Sequence, residues 1–534
     1  MKKISLSLIL TFQMLFAFAQ SYTIVLGKPT NNSITISALF SLPVEVSVEY
    51  GPSISNLINT SASFITKLDT PIEIDLTGLN AYTEYFYRLK YKLYNIPGQT
   101  NYSNINHFRT NRSINETFSF AVEADPHLDT NTIYASYALT LQNMLANKHD
   151  FLIDLGDNFM SEKLPVINQT EITARHLLFR NYFNEACPST PLYLVLGNHE
   201  GELGWRTNDT GINSLSTMSA NTRNLYFPNP SPNNFYTGNN IPEKNIGLRK
   251  NYYAWEWGNT LFVVIDPYWY TKKKPGWGWT LGKEQYDWFK NTLSMSNATY
   301  KFVFSHQLVG GNGNEGRGGT EYAHLYENGG YNLDSTFGFN TNRPNWGASI
   351  HQLMVDHHVN IFFHGHDHFF GKQEKDGVIY QEVPQPSAKN ITSNNLPASY
   401  GYKNGVFLSN RGYLSVSIGA DSAKVDYIKT YLPNEENTSR KNNTVAYSYG
   451  IKKSTGIDNS IHKILAYPNP ANQFITIECN EINNEFFIVD LLGNCLLKTN
   501  LKNIYTENLP EGIYTLITKN KDFVHYQRIL IQHK

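Results

Sequence analysis

The sequence predicts a layered α/β domain flanked by two small all-β domains. Three observations predict it. Residues 21–112 alternate apolar and polar side chains in period two, with turn residues between the runs. Residues 117–430 show apolar runs that stop at polar clusters, with helical stretches between them. Residues 461–534 return to short alternating runs. Period two marks strands with one buried face, and continuous apolar runs mark strands buried on both faces.

The first element is a leader. Met1-Lys2-Lys3 is a short basic start, Ile4 to Phe16 is an interrupted apolar stretch, and Ala17-Phe18-Ala19 is a small-x-small pattern. This reads as a secretory signal peptide over 1–19. The stretch is too short and broken for a membrane anchor, so the mature protein is expected outside the cytoplasm and soluble. The formal net charge over 534 residues is −1. That argues against a general nucleic-acid or membrane-surface binder, which needs a basic excess. Cys187, Cys479 and Cys495 are the only cysteines. An odd count makes no disulfide framework; Cys479 and Cys495 pair only if neighbouring strands bring them together.

The second element, 20–112, contains the runs Ser33–Ser37, Val44–Tyr50, Ile72–Leu76 and Tyr85–Leu89. Short strands at regular spacing predict a β-sandwich. With its Leu79–Tyr87 segment and closing His107-Phe108-Arg109-Thr110, this stretch resembles a fibronectin type III domain. The third element, 113–430, has apolar runs at Phe118–Ala124, Phe151–Leu155, Leu192–Leu196, Lys301–Phe304 and Val359–Phe363. Helical candidates are Tyr134–Lys148 and Glu284–Leu293, so an α/β layered domain is expected. Val378–Val383, Tyr413–Ile418 and Lys424–Ile428 read as antiparallel strands closing it. Residues 431–460, rich in Asn, Ser, Thr and Lys, read as a linker. The last element, 461–534, is a small β domain with Tyr467-Pro468-Asn469-Pro470, a Leu492-Gly493 turn and Leu509-Pro510-Glu511-Gly512-Ile513-Tyr514. It resembles the C-terminal sorting domains of type IX secretion. The resemblance implies a secreted or cell-surface protein whose partner is the export and sorting machinery.

The chemistry is carried by the polar clusters just beyond the apolar runs. In chain order these are Asp125-Pro126-His127, Gly156-Asp157-Asn158, Gly197-Asn198-His199-Glu200, Ser305-His306-Gln307 and His364-Gly365-His366-Asp367-His368. The carboxyl ends of strands in an open α/β sheet line one crevice, so these side chains are expected to meet. Imidazole with carboxylate suits Zn, Fe, Mn or similar ions. Two such ions bridged by a carboxylate can bind a substrate oxygen and activate water for in-line attack.

These motifs resemble the calcineurin-like metallophosphoesterase superfamily, over roughly residues 117–430. The resemblance implies a four-layer α/β/β/α sandwich and a cofactor of two divalent or trivalent metal ions. It implies that Asp125, His127 and His368 hold one metal, that Asp157 bridges, and that Asn198, His306 and His366 hold the other. His199 is implied as the catalytic residue over the pocket, stabilising the phosphoryl transition state or protonating the leaving group. Glu200 and Asp367 are candidates for orienting imidazoles. The fibronectin-like domain narrows the likeness to purple acid phosphatases. Those enzymes carry a tyrosine ligand where this chain has Met160 and lack the His ligand that His127 supplies, so a tyrosinate–iron colour is not expected.

Weaker features surround the motifs. The loop Gly310–Gly319 lacks the Gly-Lys-Ser/Thr ending of a Walker loop. Its Arg317 is a candidate substrate-binding residue for phosphate. Residues 267–280 mix aromatic and basic side chains that either stack on a base or sugar or pack a long loop. The polar stretch 201–250 is expected to form loops near the site. The functional expectation is a secreted phosphatase that hydrolyses phosphomonoesters by metal-bound hydroxide attack, its substrate a small phosphate ester. A phosphodiesterase or nucleotidase on the same core, and a non-catalytic surface binding protein, are the alternatives.

Overall fold

The computed structural model describes residues 20–452 and 465–533, apart from 115, 130, 208–210, 314, 393–394, 480–483, 491–493 and 521–523. The leader at 1–19, the Leu492-Gly493 turn and the connecting stretch 453–464 lie outside the described residues. The chain divides into two compact units, Met1–Lys453 and Ser454–Lys534.

The first unit holds the predicted layers. One six-stranded sheet contains Phe118–Glu123, Leu152–Asp154, Leu192–Leu194, Gly412–Ile418, Ser422–Lys429 and Thr444–Lys452. Its first three strands run parallel, and Gly412–Ile418 joins Phe118–Glu123 antiparallel. The second sheet has eight strands and centres on Thr260–Val264, Tyr300–Phe304 and Ile361–His364, all parallel. Alternation along each strand builds the layers. Phe118, Phe120 and Val122 meet Phe262, Phe302, Phe304 and Phe363 between the two sheets. The intervening Ala121 faces the opposite way, under Tyr137, Leu141 and Phe179. Those residues belong to helices α1 (Tyr134–Ala146) and α2 (Gln169–Phe183). On the far side, Val263 and Val303 pack under Phe289 and Leu293 of a helix at Lys283–Met295. The result is helix, sheet, sheet, helix.

Three expectations change. Val378–Glu382 is antiparallel on one side only: in the second sheet it pairs antiparallel with Phe370–Lys375 and parallel with Ile361–His364, so its buried side chains have neighbours on both sides. The expected linker 431–460 contains the strand Thr444–Lys452, which forms the edge of the six-stranded sheet against Ser422–Lys429. An edge strand keeps one polar face, so polar composition there hid an alternating Val-Ala-Tyr-Ser-Tyr pattern. The polar stretch 201–250 contains a helix at Leu215–Tyr226, capped by the Ser214 side chain. It is held by a buried ion network in which Arg223 and Arg249 both reach Glu202 and Arg249 also reaches Asp266.

The N-terminal β domain has a three-stranded and a six-stranded sheet around a core that includes Ile36, Val46, Leu76, Tyr87 and Leu89. It is pinned to the α/β core. The buried Arg180 of α2 donates to Thr23 Oγ1 (2.9 Å), to the carbonyl of Ser37 (2.8 Å) and to that of Tyr226. Tyr87 donates to the carbonyl of Pro188 at 2.7 Å.

The second unit contains a three-stranded and a four-stranded antiparallel sheet closed on Ile475, Ile477, Phe486, Ile488 and Leu516. Cys479 and Cys495 do not pair: Cys479 follows Phe474–Glu478 in one sheet and Cys495 opens a strand of the other. Among the described residues, no helix is long and apolar enough to cross a membrane.

Candidate metal centre

The five motifs meet where the central strands end. Crossed backbone contacts hold them: Asp125 N–H donates to the Gly156 carbonyl at 3.0 Å and His127 N–H to that of Asp157 at 3.1 Å. The loops lie so close that two motif glycines have no room for a side chain. A Cβ on Gly197 would sit 2.3 Å from Asp157 Oδ1, and one on Gly365 would sit 2.6 Å from Asp125 Oδ2. That is why glycine precedes the ligand-type residue in both motifs.

Each central carboxylate is half tied. Asp125 Oδ2 accepts from the His366 N–H at 2.8 Å, and Asp157 Oδ1 from the His199 N–H at 2.9 Å. Their other oxygens, Asp125 Oδ1 and Asp157 Oδ2, are buried without a hydrogen-bond partner among the described residues, as is Asn198 Oδ1. Imidazoles surround them instead. His368 and His127 Nε2 lie 3.3 and 3.5 Å from Asp125 Oδ1. His306 Nε2 lies 3.1 Å from Asp157 Oδ2, close but not aligned as a hydrogen bond, and His199 Nε2 lies 3.8 Å from it.

Two ring orientations are set from behind. His306 Nδ1 donates to the Leu155 carbonyl at 2.9 Å, which leaves Nε2 facing inward. His366 Nε2 donates to the Glu315 carbonyl at 2.7 Å, which leaves Nδ1 inward, 3.2 Å from His306 Nε2. His127 Nε2 and His368 Nε2 are 3.0 Å apart. Two nitrogens on one tetrahedral zinc-sized ion would be about 3.3 Å apart, so both pairs have nearly the spacing of shared ligands.

Ligand-type atoms fall into three overlapping groups within 4.8 Å: Asp125, His127 and His368; Asp157, His306 and His366; and His127, Asp157 and His199. Orphaned buried oxygens are costly unless a cation meets them. The donor set is therefore consistent with a centre of two metal ions, and His127 and Asp157 each belong to two of the three groups. With protein charges alone, burial would lower His306, but Asp157 and Asp125 raise it to about 10. Burial would raise Asp125, but His368 and His306 hold it well below the usual carboxylate range. Asp125, His127, Asp157, His366 and His368 also have left-handed backbones, with φ of 60°, 53°, 61°, 79° and 64°. Such strain on non-glycine residues gathers at functional sites.

The expected acidic helpers act differently. Glu200 touches backbone: its carboxylate accepts from the N–H groups of Gly197, Asp157 and Asn158 at 2.5, 3.1 and 2.6 Å. Asp367 accepts from Arg317 Nη1 (3.0 Å), Gly318 N–H (2.8 Å) and Tyr402 Oη (2.8 Å). The residue that does meet an imidazole is Glu382, which carries no motif. Its Oε2 lies 2.8 Å from His364 Nδ1, close but not aligned as a hydrogen bond, and its Oε1 accepts from the Asp367 and His368 N–H groups at 3.0 and 3.1 Å. The parallel register that places His364 opposite Glu382 was its only signal.

Above the carboxylates lies a pocket of about 200 Å³ lined by His127, Asp157, His199, His366 and His368, with Arg317 and Lys163 at its wall. Asn131, His368 and Gln385 also border an adjoining hollow of about 420 Å³. Arg317 is fixed by its bonds to Asp367 and to the His366 carbonyl (2.6 Å). Met160 is buried and offers the centre no oxygen. The 267–280 aromatics pack a loop: Trp279 donates to the Gly313 carbonyl at 3.2 Å and Tyr268 to Gln307 Oε1 at 2.9 Å.

Comparison with known proteins agrees with this architecture. Residues 118–370 match the calcineurin-like phosphoesterase family, and residues 465–532 match the secretion system C-terminal sorting domain. No curated protein shows a significant match to the chain. Among solved structures, one described as PhoD is similar at a TM-score of 0.59 and 14% identity, covering 81% of this chain and 90% of that one. Purple acid phosphatase PPD1 from yellow lupin (Lupinus luteus) seeds is similar at 0.53 and 15%, covering 80% and 74%. At such identities the likeness is one of fold. The sorting domain indicates secretion or the cell surface and a partner in the export machinery. The chain thus carries a calcineurin-like metallophosphoesterase domain behind an N-terminal β domain and ends in a type IX secretion sorting domain.

Proposed function

We propose that the protein is a secreted phosphomonoesterase working with two metal ions. The observation that carries this reading is the pair of half-tied carboxylates, each with one orphaned oxygen turned toward imidazole nitrogens. In this reading Asp125, His127 and His368 hold one ion, Asn198, His306 and His366 the other, and Asp157 lies between them. Bound there, the ions would supply Lewis-acid stabilisation and an activated water.

The chain's own groups do the rest. Arg317 is oriented by Asp367, so its remaining N–H groups are presented to a phosphoryl oxygen without rearrangement. Lys163 adds a second cation at the wall. A monoester phosphoryl group carries more negative charge than a diester, so two cations beside the centre favour it. His199, 17% exposed at the pocket, is placed to protonate the leaving oxygen. The adjoining hollow favours one second reading, a phosphodiester or nucleotide whose larger organic group extends past Asn131 and Gln385.

The test is metal analysis of the mature protein together with hydrolysis of p-nitrophenyl phosphate and bis(p-nitrophenyl) phosphate, with and without chelator. The proposal expects about two metals per chain and chelator-sensitive hydrolysis that is faster on the monoester. Faster diester turnover replaces it with the second reading. Failure to bind metal on reconstitution rejects both.

A further inference from the structure

A cavity of about 800 Å³ shares no lining residue with the pocket over the metal centre. It lies within the span of roughly 300–1,000 Å³ usual for ligand sites. Three walls form it. One is the edge of the eight-stranded sheet, where Thr237–Gly238 pairs with Tyr253 and Ala254. The second is one face of the helix Lys283–Met295, which presents Glu284, Trp288, Asn291 and Met295 at helical spacing. The third is the N-terminal β domain, through Asn31, Tyr82 and Asn111.

The chemistry of the lining is selective. No Lys, Arg or His lines the cavity, and Glu256 and Glu284 do. A phosphorylated or otherwise anionic ligand would meet no counter-charge there and two carboxylates. Aromatic surface is prominent. Trp288 rests on Tyr252, ring centroids 4.9 Å apart, and its Nε1 donates to Thr237 Oγ1 at 3.3 Å, so the indole is held in place. Across from these elements, Tyr82 is 54% exposed on a left-handed backbone with φ of 57°, a conformation that bulky residues rarely adopt. Amides fill the gaps. The side chains of Asn31, Asn234, Asn240 and Asn291 make no hydrogen bond among the described residues, so donors and acceptors remain for a ligand.

We infer that this cavity binds a neutral saccharide. Fixed aromatic faces suit the C–H faces of sugar rings, while the unpaired amides, with the Glu284 carboxylate and the second oxygen of Glu256, suit hydroxyl groups. The absence of cations separates it from the phosphate chemistry of the metal centre. The site exists only where the N-terminal β domain meets the core, which gives that domain a role as one wall of a carbohydrate site.

The experiment is isothermal titration of the full mature chain with maltohexaose, cellohexaose, laminarihexaose and mannohexaose, with a heparin oligosaccharide as charged probe. At least one neutral hexasaccharide is expected to bind with a Kd near or below about 1 mM. Trp288→Ala should weaken it about tenfold and Asn291→Ala about threefold. Asn291 is exposed, so its variant is expected to fold and to hydrolyse phosphate esters like the parent. No binding of any neutral probe, binding that Asn291→Ala leaves unchanged, or preference for heparin would overturn the inference.

Discussion

At the scale of single residues, the proposed function separates groups that bind metal from groups that act. Asp157 has one oxygen anchored by a backbone N–H and one oriented inward, and it belongs to two of the three groups of ligand-type atoms, so in the proposed reading its loss removes a ligand common to both ions. Asp157→Ala is expected to abolish metal binding. His199 is bonded into the loop through its own N–H while its ring borders the pocket. His199→Ala is expected to retain about two metals and lose roughly 10²–10⁴ in kcat. Metal analysis beside steady-state kinetics distinguishes the two roles, and equal metal loss in both variants would contradict the division. His306 gives a second prediction. Burial opposes its charge, but Asp157 and Asp125 raise it to about 10, so metal-free protein carries a proton there at neutral pH. This contribution to stability is complete below the ordinary histidine pKa of about 6.5. It is lost as pH rises through about 10. With His306 a ligand, as proposed, metal displaces that proton. Loading at pH 7.5 should release about one proton from this site, read as a buffer-dependent enthalpy by titration calorimetry.

At the scale of elements, the parallel strands gather the motifs and α2 fastens the N-terminal domain. Arg180 is fully buried and meets a hydroxyl and two carbonyls, with no carboxylate in contact among the described residues; burial lowers its pKa to about 9. Truncating it leaves acceptors on both domains unpaired, at about 1–3 kcal/mol each. Arg180→Ala should therefore lower stability by at least about 3 kcal/mol. Differential scanning calorimetry should show an N-terminal transition separating from the main one. A single unshifted transition would mean that apolar contacts alone hold the domain. The motifs at strand ends were legible because each pairs an apolar run with ligand-type residues. Glu382 was not, since only the lateral register of Val378–Glu382 brings it beside His364. Lys163 was hidden for a similar reason: it sits on a short turn after Asp157 with no periodic signal. The sandwich between the sheets was readable from Phe118, Phe120 and Val122, whose alternation states which face is inner.

At the scale of the whole molecule, the sorting domain has its own core and the catalytic unit has another. Removing residues 454–534 is therefore expected to leave metal content and kcat/KM of the catalytic unit unchanged, which the same assays on the truncated chain would check. The break, between 453 and 454, falls inside the polar stretch 431–460 that composition marked, but only beyond a strand that composition did not show. Residues 444–452 look like more of the polar stretch that precedes them, yet Tyr447, Tyr449 and Ile451 pack against the inter-sheet core.

That edge strand sets a limit on how far the chain can be trimmed. A protease acting at 453 would leave Ser422–Lys429 covered along its length by Thr444–Lys452. Ten residues earlier, the same cut would strip the cover and expose a row of unpaired amides and carbonyls beside aromatic side chains. Such a row is a template for strand exchange between molecules, so the boundary between a mature secreted enzyme and an aggregate is nine residues wide.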